Sequence, residues 1–131
     1  MDFVVIDTDV VSFYFKNDAR ADPFKNHWAG KTLVVSFMTL AELRLWTRVR
    51  RWGRSRIDQL EAFVKSRFVV YPVDDRLCDT WATLMAESRA NGRNLHHSDA
   101  WVAATALVIG ASLATNNRKD YLSIEGLSLL I

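Results

Sequence analysis

The chain has 131 residues, half of them hydrophobic and 24% charged, with 17 basic side chains against 15 acidic ones and a net charge of +2. Those figures exclude a disordered or low-complexity chain and allow one packed domain over residues 1–131. Cys78 is the only cysteine, which excludes an internal disulfide or a cysteine-built metal knuckle and suits a reducing cytoplasm.

Phe3 to Ile6 is a continuous apolar run rich in β-branched residues, the pattern of a strand buried on both faces of a parallel sheet. Asp7 closes it and breaks the first apolar stretch too early for a secretory signal. Thr8 or Asp9 caps a helix through about Phe15; a polar loop over 16–22 follows, and Pro23 opens a short helix that Gly30 ends. Thr32 to Ser36 is the second strand. Thr39 and Glu42 have the spacing of a capping box, and the helix they start carries Leu43, Trp46 and Val49 at helical spacing until Gly53 stops it. Ile57, Leu60, Phe63 and Val64 stripe the next helix. Phe68 to Tyr71 is a third strand stopped by Pro72, and Leu77, Trp81, Leu84 and Met85 mark an amphipathic helix that frays at Asn91 and Gly92. An apolar helix from Ser98 to Ile109 ends at Gly110, Ser112 to Thr115 is a fourth strand, and Leu127 to Ile131 offers a fifth. The apolar run 100–114 is shorter than the roughly 20 residues a bilayer span needs, so no membrane segment is expected.

Strands alternating with helices over short connections predict an α/β fold: three layers, with a mostly parallel central sheet of four to five strands flanked by helices. In such a sheet ligands bind beyond the carboxyl ends of the strands. Asp7 ends the first strand there. Glu42 sits in the first turn of the helix after the second. Asp99 sits in the first turn of a helix joined to the fourth strand by a tight turn; its N-terminus therefore returns to that strand's carboxyl end, if residues 92–97 carry the chain back across the domain. Thr115, Asn116 and Asn117 leave the fourth strand at the same edge.

Taken singly, Asp9, Glu42 and Asp99 read as ordinary helix-terminus contacts. Asp7, directly at the end of a buried strand, does not. If Asp7, Glu42 and Asp99 converge, each pair at about 5 Å costs on the order of 3 kcal/mol at an effective dielectric near 20. Either the carboxyls retain protons or a cation sits among them. An all-oxygen donor set without clustered His or Cys favours Mg²⁺ or Mn²⁺.

The stretches VVIDTDVV (4–11), SFMTLAELRLW (36–46), HSDAWVAATALVIGASLATNNRKDY (97–121) and IEGLSLLI (124–131) resemble the PIN-domain ribonucleases, in particular the VapC toxins of bacterial toxin–antitoxin pairs. The resemblance runs in order along nearly the whole chain. It implies a PIN-like (Rossmann-like) fold and Mg²⁺- or Mn²⁺-dependent endonucleolytic cleavage of RNA, with Asp7, Glu42 and Asp99 as three members of an acidic quartet that binds the metal. The fourth position, often Asp, falls on Asn117, whose amide oxygen can coordinate or hold a water. Thr115 in the same motif would hydrogen-bond Asp7 or orient water. Asp9 stands where the family frequently has Asn, and Asp120 is a substitute for the missing acid or a loop contact.

An acidic centre repels a polyanion unless its surroundings attract it. Arg44, Arg48 and Arg51 recur at i, i+4 and i+7 on the Glu42 helix, and Arg118 and Lys119 follow Asn117, so these cations are candidates for RNA phosphates; a solvated helix face has the same pattern. Trp46 and Trp52 read as packing residues. His96 and His97 are adjacent, point apart and make a poor chelate. The resemblance further implies a homodimer, a cognate VapB-type antitoxin packing on the helices of residues 38–64, and a cytoplasmic location. Two other readings are a PIN nuclease of RNA processing without an antitoxin and a Mg²⁺-binding phosphoacceptor signalling domain. The latter needs an Asp directly at the end of the third strand, where Pro72 intervenes before Asp74 and Asp75.

Overall fold

The computed structural model describes residues 2–131. Four short strands, β1 (Phe3–Ile6), β2 (Thr32–Ser36), β3 (Val69–Tyr71) and β4 (Ser112–Ala114), form a sheet in the order β3-β2-β1-β4 with every neighbouring pair parallel. Val5 of β1 lies opposite Val34 of β2 and Leu113 of β4. Six helices cover the faces: α1 (Thr8–Phe15), α2 (Asp22–Trp28), α3 (Phe37–Val49), α4 (Arg54–Arg67), α5 (Asp75–Ala90) and α6 (His97–Ile109).

The period of two along β1 divides its side chains between two cores. Val4 and Ile6 join Val10, Leu43, Leu60 and Phe68 on the side of α1 to α4. Val5 joins Leu77, Leu84, Val102 and Tyr121 on the side of α5 and α6. A strand packed on both faces needs an apolar residue at every position, which is why the sequence there does not alternate.

Several boundaries differ from the sequence expectation, each for a local reason. Asp7 itself caps α1, its carboxylate accepting from the Thr8 N–H at 2.8 Å. Strand β2 runs straight into α3 because Ser36 caps that helix, accepting from the Met38 N–H at 3.1 Å. Thr39 and Glu42 are therefore not a capping box, and Glu42 falls in the second turn. The loop expected over 16–22 holds a 3-10 turn, Ala19–Ala21, capped by Asp18. The fifth strand does not form: Leu129 makes one parallel bridge to Leu113, held by Leu113 N–H to the Ser128 carbonyl and Leu130 N–H to the Leu113 carbonyl, and the pairing goes no further.

Gly110 ends α6 in the left-handed region, φ 66°, ψ 34°. A Cβ there would meet no atom within 4 Å, so Gly110→Ala strains the backbone alone. The expected loss is about 1 kcal/mol, a fall in melting temperature of about 3–5 °C by calorimetry.

Connections leave β1 toward β2 on one side, while β4 is added on the other. The strand order thus reverses between β1 and β4, and a crevice opens at their carboxyl ends. Among the described residues no helix is long and apolar enough to cross a membrane.

Candidate active site

Asp7 and Thr115 flank that crevice, one residue past β1 and one past β4, and both are buried. The Asp7 N–H donates to the Ala114 carbonyl, continuing the β1–β4 ladder one step beyond the strands. Its carboxylate takes three donors: the Thr8 N–H on Oδ1, and the Thr115 hydroxyl at 2.8 Å and the Tyr121 hydroxyl at 3.1 Å on Oδ2. Burial raises its pKa, the three hydrogen bonds oppose that rise, and the negative charge of Asp120 adds to it.

Asp99 arrives from α6, as the sequence expectation required. The chain turns back after α5 through Arg93 N–H to the Ser88 carbonyl at 2.8 Å and Leu95 N–H to Ser88 Oγ at 3.0 Å. Trp81 of α5 donates to the His97 carbonyl at 3.1 Å and stacks on Trp101 at 4.7 Å, seating the start of α6. His96 caps that start through Nδ1, which explains its presence without a catalytic role. Asp99 Oδ1 then accepts from the Tyr121 hydroxyl at 3.3 Å. Burial and the charge of Asp7 raise the Asp99 pKa against that bond.

Glu42 reaches the cluster through Thr8, whose hydroxyl donates to Glu42 Oε1 at 2.8 Å and lies 3.0 Å from Thr39 Oγ1. Thr8 thus gives its N–H to Asp7 and its hydroxyl to Glu42. Asp9 accepts from the Val10 N–H at 2.7 Å and the Asn116 N–H at 3.2 Å. Burial, then the charge of Asp7, pushes its pKa up to about 7 despite those bonds. Asn117 is exposed and contributes its N–H to Thr115 Oγ1 at 3.1 Å. Asp120 lines a cleft with His96, Asp99, Lys119 and Arg93, and its charge reaches both Asp7 and Asp99. Of the two candidates for a fourth oxygen donor, Asp120 is the one that lines this cleft with Asp99.

Two further side chains belong to the cluster: Thr8, which the sequence suggests only as a helix cap, and Tyr121. The signal for Tyr121 is that a buried tyrosine needs a partner for its hydroxyl.

Among the described residues no group of three or more His, Cys, Asp or Glu side chains is disposed to hold a metal ion as the side chains stand. In that arrangement Glu42 Oε1 accepts from Thr8, and Asp7 Oδ2 and Asp99 Oδ1 both meet the Tyr121 hydroxyl. The donor chemistry nonetheless fits a hard divalent cation. Asp7 and Asp99 face one another across a single oxygen atom, their pKa values are raised by confinement, and every candidate donor is oxygen.

The candidate phosphate-binding cations are spread out. Arg44 pairs with Glu61 of α4 at 2.9 Å, and Arg48 donates to the Arg44 carbonyl. Arg51 lies beyond the end of α3 with φ 54°, off the helical row expected for it, because α3 stops at Val49. Arg118 and Lys119 occupy an exposed 3-10 turn directly after Asn117, and Lys119 lines the Asp99 cleft.

The family model described as PIN domain matches residues 4–124. Relatives by sequence include Ribonuclease VapC4 of Mycobacterium tuberculosis, 29% identical over 85% of this chain and 84% of that one. VapC ribonuclease Y4jK of Sinorhizobium fredii is 30% identical over 90% of this chain and 89% of its own. Among solved structures, VapBC-1 from nontypeable Haemophilus influenzae is similar with a TM-score of 0.83 at 25% identity, over 97% of this chain and 96% of that one.

Proposed function

The chain belongs to the PIN-domain family, with VapC ribonucleases among its relatives, and from that premise we propose that it is a VapC-type toxin: a Mg²⁺- or Mn²⁺-dependent endoribonuclease held in check by a VapB-type antitoxin. The observation that carries the chemistry is the meeting of Asp7 and Asp99, from distant parts of the chain, on one buried hydroxyl. Carboxylates so confined repel one another, and a divalent ion relieves the repulsion.

In this reading Asp7 and Asp99 hold the ion, with Asp120 or the Asn117 amide as a further oxygen donor. When bound, the ion supplies Lewis acidity: it makes water a nucleophile at neutral pH and offsets charge on phosphoryl oxygens. Glu42 is held by Thr8 through Oε1 and keeps its second oxygen to accept the proton of the attacking water. Thr115, fixed by Asn117 N–H and donating to Asp7, keeps that carboxylate in one orientation. Lys119 and Arg118 meet RNA phosphates beside the cleft. Arg44 is engaged with Glu61 and is better placed at the partner surface: an apolar groove lined by Leu40, Arg44, Glu61, Val64, Phe68 and Val70 runs between α3 and α4, where the antitoxin would pack. One domain spanning the chain, acting as a homodimer in the cytoplasm, completes the reading. A phosphoacceptor role is unsupported, since Asp74, the first acid after β3, is spent on capping α5 and on the Tyr71 hydroxyl.

The test is cleavage of RNA by the purified chain in Mg²⁺, in Mn²⁺ and in EDTA. Cleavage with either ion and none with EDTA is expected. Cleavage indifferent to chelator would remove the metal mechanism.

A further inference from the structure

Tyr121 is 1% exposed, packed with Val5, Leu77, Val102 and Leu113 in the core on the α6 side of the sheet. Its backbone is pinned on both sides: Tyr121 N–H donates to the Arg118 carbonyl at 3.0 Å, and Ile124 N–H donates to the Tyr121 carbonyl at 3.1 Å. The hydroxyl has one proton and faces two carboxylate oxygens, Asp7 Oδ2 at 3.1 Å and Asp99 Oδ1 at 3.3 Å. A phenylalanine would fill the same space in the core, so packing does not require the oxygen.

We propose that Tyr121 is a positioning residue that uses one shared hydroxyl proton to hold Asp7 and Asp99 turned toward each other in readiness for a divalent cation. The proposal rests on the reading of these carboxylates as metal ligands. The two acids differ in how much they depend on it. Asp7 is also held by Thr8 and Thr115, and would keep its orientation without Tyr121. For Asp99 the Tyr121 hydroxyl is the hydrogen bond that ties its carboxylate to the rest of the cluster. Without it Asp99, repelled by Asp7, turns toward the open cleft it shares with Lys119 and Asp120. The hydroxyl bonds to one oxygen of each acid and leaves Asp99 Oδ2 for an ion. On Asp99 it therefore orders the ligand without occupying its second oxygen. Loss of such an outer contact to a metal ligand weakens metal affinity by about 10- to 100-fold.

The experiment measures Mn²⁺ binding by electron paramagnetic resonance in the wild-type chain and in Tyr121→Phe, together with the melting temperature of each without metal. The expected result is Mn²⁺ affinity reduced by about 10-fold or more in Tyr121→Phe. Equal or tighter Mn²⁺ binding by Tyr121→Phe, with or without a lower melting temperature, assigns the hydroxyl to stability alone and overturns the proposal. Absence of Mn²⁺ binding by the wild type overturns the metal-ligand reading and this proposal with it. A second measurement needs no variant: in 3-fluorotyrosine-labelled protein the Tyr121 resonance shifts on saturation with Mg²⁺, while those of Tyr14 and Tyr71 do not. A Tyr121 resonance unmoved by saturating Mg²⁺ also overturns the proposal.

Discussion

Asp7→Asn is expected to lower RNA cleavage by at least about 100-fold and, in the same protein, to raise the melting temperature measured in EDTA at pH 8. The first effect follows from charge. Asn can offer one neutral oxygen where Asp7 offers an anion, and loss of even an outer contact to a metal ligand costs about 10- to 100-fold. The second follows from burial. Asp7 is nearly inaccessible, its pKa is raised by desolvation, and without a cation its ionised form opposes folding. The amide can satisfy the same partners: Oδ1 keeps the Thr8 N–H, and the Thr115 and Tyr121 hydroxyls, which donate to the carboxylate, rotate to accept from Nδ2. The helix cap and the β1–β4 junction therefore survive. Cleavage assays and calorimetry on one preparation test both halves. Retention of wild-type cleavage by a folded Asp7→Asn protein would take Asp7 out of the chemistry, and a lower melting temperature would show that its carboxylate stabilises the metal-free fold. An active site that is a liability to its own fold unless an ion is present is the pattern expected where function and stability compete.

The parallel sheet was legible because its strands announce themselves. Each is a short apolar run ended by a polar or proline residue, and Asp7 stands out because it interrupts such a run. Asp99 was legible by topology alone, since a helix leading into a parallel strand by a tight turn must begin at the strand's carboxyl edge. Glu42 was read at the right edge for the wrong reason. The Thr39–Glu42 spacing suggests a cap, whereas Ser36 caps the helix and Thr39 and Glu42, one turn apart, both approach Thr8. What the local pattern could not reveal are contacts made across the chain. The Thr115 and Tyr121 bonds to Asp7 span 108 and 114 residues, and no periodicity encodes them. Arg51 shows the opposite error: the i+7 spacing from Arg44 is real, but the helix ends before it, and a row on a helical wheel exists only while the helix does.

The metal-free protein is expected to lose stability as pH rises from 5 to 8, and Mg²⁺ is expected to restore it most at the alkaline end. Asp9 carries the sign. Its ordinary carboxyl range is near 3.8, and burial together with the charge of Asp7 holds it at about 7 in the fold. Below about pH 4 the group is protonated in both folded and unfolded chains and makes no difference. Between there and pH 7 the unfolded chain has released the proton and the folded chain still binds it, so each pH unit upward favours unfolding by about 1.4 kcal/mol. Above 7 the loss is complete, on the order of 4 kcal/mol as an upper figure because part of Asp9 remains in water. Asp7 and Asp99, also raised, act in the same direction. Asp18, held at about 2 by Arg20, acts in the opposite sense but only as pH falls below its ordinary range. The melting temperature in EDTA should therefore fall by on the order of 10 °C across pH 5–8. Asp9→Asn should flatten the curve, because it removes a group that titrates within this range while leaving an oxygen for the Val10 N–H. A divalent cation binds the ionised carboxylates and competes with protons, so its stabilisation grows with pH. A melting temperature in EDTA that rises through this range would mean that the cluster is not held at a charge deficit, and that the cation has no electrostatic vacancy to fill.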